Sequence, residues 1–571
     1  MYIDIVPNRE APPTVLLRES FREGKSIRKR TVANLSSLPM QQVELISRVL
    51  KGESLSAVAD RLEVVASPHH GHVEAVRIAM KRLGLEQLIA SRPSPERARV
   101  MAMVAARILE PGTKLATTRW WHATTIPQTF GVADADEDDL YAAMDWILER
   151  QDRIEQKLAA RHLSDDSLVL YDLSSSYFEG VTCPLAALGH NRDGKKGKLQ
   201  VNYGLLTDAR GRPVAVSVFK GNTADPKTLM PQVRKMKERF GIKTFVMVGD
   251  RGMISQTQVD EIKGDKDNEG IAWITALKTQ AIRGLVEDEA LQLELFDERN
   301  LFEITHPDYP GERLVACRNP ELRKLRGHKR RSLLEATARE LEKVRGMAAR
   351  GKLQGKDDIG VRVGKVIDKY KVAKHFVRDI RDDGFDFHID EQKVAAEAAL
   401  DGVYVIRTSL AKERVSAEDA VRSYKLLSTV ERAFRSMKTL DLKVRPIHHH
   451  LEKRVRAHIF LCMLAYYVEW HMREVLRPML FGDEDQDAKM TRDPVAPAKR
   501  SEAALRKVRS KTLDDGTVVH SFQTLLAVLS GIVRNVCRVP GAASPQATFE
   551  VLTTPDAKQQ RAYDLLETIE V

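Results

Sequence analysis

Cysteine is scarce in this chain. There are 4 in 571 residues, Cys183, Cys317, Cys462 and Cys537, and none forms a CxxC pair. That excludes a disulfide framework and a cysteine zinc site, and it fits a reducing cytosol. Long apolar runs are also missing. The longest, Ile459–Val468, is about half of what a membrane-spanning helix needs. The start, MYIDIVPNRE, has no basic cap ahead of an apolar stretch, so no signal peptide is expected. No internal repeat of fixed period is present, which argues against a solenoid. The glycines and lysines of HNRDGKKGK do not make a P-loop, because no GK-[ST] follows at Walker spacing. What remains is a chain with 43% hydrophobic and 30% charged residues, long enough for three or four folded units.

Charge is abundant and uneven. Lys and Arg number 91 against 80 Asp and Glu, a net of +11. Between Glu321 and Ile380 there are 18 Lys/Arg and 8 Asp/Glu, a net of +10. One stretch therefore carries nearly the whole imbalance. Such a block suits a polyanion, and a solvated helical face is the alternative. Its densest part, RKLRGHKRR, holds Arg323, Lys324, Arg326, Lys329, Arg330 and Arg331.

Residues 1–160 read as a mostly helical region. Gln41–Val64 and Val73–Ala90 have helical spacing, and Met1–Asn34, with Arg28, Lys29 and Arg30, reads as a loose arm. From Ser164 the texture changes to α/β. SLVLYDLSSSYF is strand-like, and KLQVNYGLLT and PVAVSVFKG form a hairpin around Asp208, Gly211 and Pro213. TADPKTLMPQVRKMKERFG reads as a helix capped by Asp225, followed by strand KTFVMVGD, helix SQTQVDEIKG and strand IAWITALK. This order predicts a mixed sheet flanked by helices. Residues 281–400 hold the basic block, a long helix at Ser332–Arg350 and a strand-like GVRVGKVI. DGVYVIRTSL is another strand, and helices Ala417–Thr439 and His450–Leu476 follow. The charged stretch GDEDQDAKMTRDPVAPAKR reads as a linker, and Phe522–Val536 as a helix in the tail.

Two apolar strands acquire an aspartate near their C-terminal ends, where parallel strands carry active sites. Leu168, Leu170 and Asp172 share one face, and Val246, Val248 and Asp250 do the same. Burying two carboxylates uncompensated is costly, and a divalent cation offsets that cost. The alternative is a helix cap for Asp250 and a loop carboxylate for Asp172. In Ala417–Thr439 a seven-residue spacing, nearly two turns, aligns Tyr424, Glu431 and Lys438 in one row. The carboxylate of that row suits a metal shared with the aspartates, and the phenol and ammonium suit phosphate oxygens. An exposed Glu431 paired with Arg435 is the alternative.

Together these blocks resemble a DDE-type insertion-sequence transposase of the large group whose third acid lies in a Y-x2-R-x3-E-x6-K helix. YDLSSSYFEG is similar to the first-aspartate strand. KGKLQVNYGLLTDARGRPVAVSVFKGNTADPKTL is similar to the hairpin with its GN-x2-D turn, and VMVGDRGMIS to the second-aspartate strand. YKLLSTVERAFRSMKTLDLKVRPIHHH is similar to the glutamate helix and the RPI-H segment behind it. The likeness spans roughly residues 165–280 and 400–470. The signature arginine position holds Leu427, so a phosphate contact there falls to Arg432 or Arg435. The gap from Asp250 to Glu431 holds an insertion without a tryptophan between Trp273 and Trp470.

The resemblance implies an α/β fold with an RNase H-like core in two parts, 161–280 and 401–478. A basic insertion at 281–400 separates them, and a linker at 479–511 and a helical, oligomerising tail at 512–571 follow. It implies two Mg²⁺ (or Mn²⁺) on Asp172, Asp250 and Glu431, with Tyr424 and Lys438 at the phosphate. It also implies cleavage and joining of double-stranded DNA at terminal repeats, by a homodimer in the cytoplasm, with residues 1–160 binding the DNA ends. A metal-dependent endonuclease or an inactive DNA-binding relative is the alternative. His190, Arg192, Lys195, Lys196 and Lys198 of HNRDGKKGK read as a basic hairpin arm suited to backbone phosphates. The triplet His448, His449 and His450 and the group His69, His70 and His72 read as surface or DNA-facing residues.

Overall fold

A computed structural model of the chain describes residues 1–8, 12–53, 63–485, 492–496, 499–538 and 548–571. It divides into two units, one of residues 1–67 with 534–553, the other of residues 68–533 with 554–571.

The first unit is built mainly of strands. β1 (Tyr2–Val6), β2 (Thr14–Glu23) and β3 (Ser26–Asn34) form an antiparallel sheet in that order. The expected loose arm is thus corrected. Only Val15 in these strands is buried, so the period-two apolar signal that reveals a strand is missing from the sequence. Helix Met40–Leu50 is shorter than the expected Gln41–Val64 and is followed at once by Gly52, with φ +91°. Residues 54–62 of that expected helix lie outside the described residues. β4 (Glu63–Ala66) pairs with strand Arg534–Arg538, which pairs in turn with Thr548–Leu552. The tail is therefore not helical throughout, and its helix Phe522–Leu529 stops short of Val536.

In the second unit, helices Gly71–Arg82, Pro95–Leu109 and Glu137–Leu148 pack around helix Glu452–Val475. That helix is apolar around most of its circumference, which makes it the buried axis of the unit. Beside it lies an eight-stranded sheet. Its first five strands are β5 (Ser167–Tyr177), β6 (Gln200–Asp208), β7 (Pro213–Lys220), β8 (Phe245–Gly249) and β9 (Ile271–Ala276). They run β7-β6-β5-β8-β9, with β5–β6 and β6–β7 antiparallel and β5–β8 and β8–β9 parallel. This 3-2-1-4-5 order is that of an RNase H-like core.

The insertion is less separate than expected. Its strands β10 (Leu301–Ile304) and β11 (Arg313–Arg318) belong to the same sheet. After the small hairpin β12 (Phe376–Ile380) and β13 (Phe385–Ile389), β14 (Val403–Thr408) returns to pair antiparallel with both β9 and β11. Strand β14 thereby covers an edge of β9 that would otherwise expose unpaired backbone groups. The separate part is residues 320–399, with a core of its own that includes Leu341, Ile359, Val363 and Phe376. GVRVGKVI, expected as a strand, lies in helix Lys356–Tyr370, because Ile359, Val363 and Ile367 recur every fourth residue on one buried face. Within the expected linker, Glu502–Ser510 is a helix, and residues 486–491 and 497–498 lie outside the described residues. No described helix is long and apolar enough to cross a membrane.

One glycine bears directly on the site. A Cβ at Gly204 of β6 would fall on the Tyr171 ring, next to Asp172. Gly204→Ala is expected to cost about 1–3 kcal/mol by overpacking. A thermal melt should show a lowered Tm. An unchanged Tm would mean that the ring moves aside freely.

Candidate active site

The parallel register of β5 and β8 brings the two aspartates together. Their last pair is Tyr171 with Gly249, so Asp172 and Asp250 come next, where the strands part. Asp172 lies in mid-strand rather than at a strand end, because β5 continues to Tyr177 against β6 alone. Asp172 Oδ1 accepts from Leu173 N at 2.8 Å. Asp250 Oδ1 accepts from Arg251 N at 2.7 Å and from the Tyr424 hydroxyl at 3.2 Å. Asp250 is not a helix cap, since Ser255 holds that position for helix Gln256–Gly264.

The third acid comes from a broken helix. Ala417–Lys425 and Leu427–Arg435 meet at Leu426, and a five-residue π turn, Ser436–Leu440, follows. Val430, Phe434 and Met437 are buried, which turns Glu431 outward to the cavity. Leu427 is also buried, so the side chain at the signature-arginine position faces the core instead of a phosphate.

Asp172, Asp250 and Glu431 line one open cavity of about 530 Å³, with Arg192, Asp193, Asp225, Arg435, Lys438 and Arg445 among its other walls. Burial first, and then the charges of Asp250 and Glu431, push the Asp172 carboxyl up to about 7. Burial and the adjacent Asp250 hold the Tyr424 phenol well above its ordinary range, so it stays a hydrogen-bond donor.

The expected row does not act as a row. Tyr424 reaches Asp250, whereas Lys438 donates to Asp193 Oδ1 at 3.0 Å. Arg445 pairs with the same Asp193 oxygen, and Tyr177 N donates to Asp193 Oδ2 at 3.0 Å. Burial lowers the Lys438 ammonium, against the opposing pull of Asp193. Arg192 pairs with Asp225. Asp225 is therefore a cavity residue and not the expected helix cap. Its carboxylate and that of Asp250 both stand within 4 Å of where a Cβ on Gly252 would lie, at 3.9 and 3.8 Å.

Asp193, Asp225 and Arg445 are site residues that the sequence does not announce, and Arg192, expected on backbone phosphates, lines the cavity instead. Asp193 and Arg192 sit inside the basic HNRDGKKGK, and the GN-x2-D turn was the one available signal for Asp225. The remaining expected residues are dispersed. Lys195, Lys196 and Lys198 are exposed, with Lys198 paired to Glu179 at 3.0 Å. Arg435 borders the cavity and Arg432 is exposed on the same helix. Arg323, Lys324, Arg326, Lys329 and Arg331 are exposed on helix Pro320–Ala349. Arg330 is the exception, since its guanidinium is buried against Asp401 and Glu397 and is committed within the protein. Of the histidines, His70 and His72 are buried rather than surface residues, and His449 packs against His458 and Tyr141.

The donor set suits a hard divalent cation, because carboxylate oxygens are its preferred ligands. A cation would also relieve the like-charge crowding that raises Asp172. Among the described residues, no three carboxylate, imidazole or thiol groups converge as a preformed ion cage.

An RNase H-like sheet with acids on its two central parallel strands and on a following helix defines a class of phosphodiester-processing enzyme. Residues 182–468 match the family described as Transposase DDE domain, and residues 3–60 match the IS1634 family transposase, N-terminal domain. The chain belongs to the DDE transposases of insertion sequences. No curated protein sequence matches it. Among solved structures, a piggyBac transposase synaptic complex with hairpin DNA aligns over 80% of this chain and 77% of that one, at 8% identity and a TM-score of 0.34. Membership in the family implies an enzyme that uses divalent metal and binds DNA.

The Asp172 shift yields a pH test. A carboxyl near 3.9 when unfolded and about 7 when folded keeps its proton in the folded state across that window, so metal-free stability falls as pH rises through it. An Mg²⁺ ion held by Asp172 would have to displace that proton below pH 7 but not above it. Melting curves should show little Mg²⁺ stabilisation near pH 5.5 and more near pH 8, and Asp172→Asn should abolish the difference. Equal stabilisation at both pH values would place the ion away from Asp172.

Proposed function

We propose that this transposase cuts DNA at the terminal inverted repeats of its own insertion sequence and joins the 3′ ends to target DNA. Asp172, Asp250 and Glu431 would hold two Mg²⁺ (or Mn²⁺) ions. When bound, such a pair activates the attacking oxygen and steadies the leaving one. The observation that carries this reading is the gathering of three acids from separate elements on one cavity wall, with one carboxyl pushed to about 7 by burial and by the other two.

The chain's own groups have separable tasks. Tyr424 fixes the orientation of Asp250 through its hydroxyl. Asp193 holds Lys438 and Arg445 at the cavity wall, where they face a phosphate that enters it. Arg435 adds a cation at the same wall. The exposed Lys195, Lys196, Arg323, Lys324, Arg326, Lys329 and Arg331 suit backbone phosphates away from the reacting bond. Two element ends require two active sites, so a homodimer on DNA is part of the proposal.

The test uses labelled duplex from the DNA flanking the reading frame, incubated with plasmid and Mg²⁺. Labelled end joined to plasmid supports the proposal, and nicks without joining would indicate an endonuclease. Asp172→Ala, Asp250→Ala and Glu431→Ala should each remove cleavage while leaving end binding close to native, since the ligands act as a unit. Lys438→Ala should cost less, because a lysine contributes one point charge to the phosphate. Near-native turnover by any of the three acid variants would remove that residue from the set.

A further inference from the structure

The β2–β3 hairpin outgrows its sheet. β1 pairs with β2 only from Thr14 to Arg18, whereas β2 and β3 stay paired out to Glu23 and Ser26. Glu19–Glu23 and Ser26–Arg30 therefore run on as a free two-stranded ribbon, closed by Gly24, with φ +62°, and Lys25. At about 3.4 Å per residue the free part is roughly 17 Å long. Every residue from Ser20 to Arg30 is exposed.

The charge on this ribbon is sorted by face. Residues 19–30 carry five Lys/Arg and two Asp/Glu. Directly opposed residues share a face. On one face Arg28 pairs with Glu23 and Arg30 with Glu19, both at 2.7 Å. The other face pairs Arg22 with Ile27 and Ser20 with Lys29 and carries no acid. Among the described residues, no carboxylate makes an ion pair with Arg22, Lys25 or Lys29. Ile27 is 71% exposed at the tip.

We propose that this ribbon enters the major groove of double-stranded DNA, with Arg22, Lys25 and Lys29 on phosphates and Ile27 toward the base edges. The proposal rests on the reading that the chain acts on DNA, and it assigns a DNA contact to strands in a region expected to use helices. The major groove, about 12 Å wide, admits a two-stranded ribbon as it stands, whereas the minor groove, about 6 Å wide, must be widened and the duplex bent to take one. An exposed isoleucine among cations suits a groove that offers thymine methyl groups beside phosphates. A second copy of the chain fits less well, because ribbons laid edge to edge would bring their lysines and arginines together.

The test uses the full chain, native and with Arg22→Gln, Lys25→Gln and Lys29→Gln combined, on a mixed-sequence duplex of three helical turns. All three side chains are exposed, so the variant should melt at the native temperature. Affinity at physiological salt should fall at least about tenfold, and the slope of log K against log salt should flatten by about 2–3. Guanine N7 methylation, which marks the major groove, should interfere with native binding and lose part of that effect in the variant. An unchanged slope and affinity at native Tm would overturn the proposal. So would interference confined to minor-groove adenine methylation, or loss of self-association with DNA affinity intact. On the labelled element-end duplex, with protein at saturation, the variant should still cleave. Asp172→Ala should instead bind with the native slope and fail to cleave, so cleavage by Asp172→Ala would defeat the catalytic assignment alone.

Discussion

The burial of Asp172 beside a second carboxylate, Asp250, is the constraint around which this enzyme is arranged. Register alone forces them together, since β5 and β8 are locked in parallel up to Tyr171 and Gly249. A fold that only sought stability would place neutral side chains there, because like charges near a buried strand end oppose folding. Glu431 arrives from a distant helix and adds a third negative charge to the same wall. The cost appears in the Asp172 carboxyl, which burial and its two neighbours push up to about 7.

Around this core the chain distributes countercharge without neutralising the acids themselves. Lys438 and Arg445 are tied to Asp193, and Arg192 is tied to Asp225. These cations are thus held by carboxylates that lie on other segments, and the three central acids stay available. Tyr424 touches Asp250 with a neutral donor, which orients the carboxylate without cancelling its charge. The arrangement reads as a site kept electron-rich and held in place, as a cation-dependent enzyme requires. The sheet serves the same end, since β14, β11 and β10 extend it from β9 and tie the insertion to the strands that carry the aspartates.

The sequence made the catalytic half of this molecule legible because its strands are buried on both faces and read as apolar runs. LVLY and FVMVG could be placed for that reason, and an aspartate in or just beyond each run stood out. The glutamate helix was found through a spacing motif, yet its break at Leu426 and its π turn carry no comparable sequence mark. Asp193 and the pairing of Arg192 with Asp225 are hidden because contacts between distant segments leave no local period, and their neighbourhood looks merely basic. The N-terminal strands were hidden for the opposite reason to the core strands. Both ribbon faces meet water, so no alternation betrays them. The helix at Lys356–Tyr370 shows the ambiguity of short valine-rich runs, where spacing by four and by two overlap.

Anomalous scattering from Mn²⁺ in crystals of the full chain bound to a DNA duplex tests the central claim most directly. Peaks bounded by the carboxylates of Asp172, Asp250 and Glu431 are the predicted result. Peaks elsewhere, with these three side chains unliganded, would contradict it.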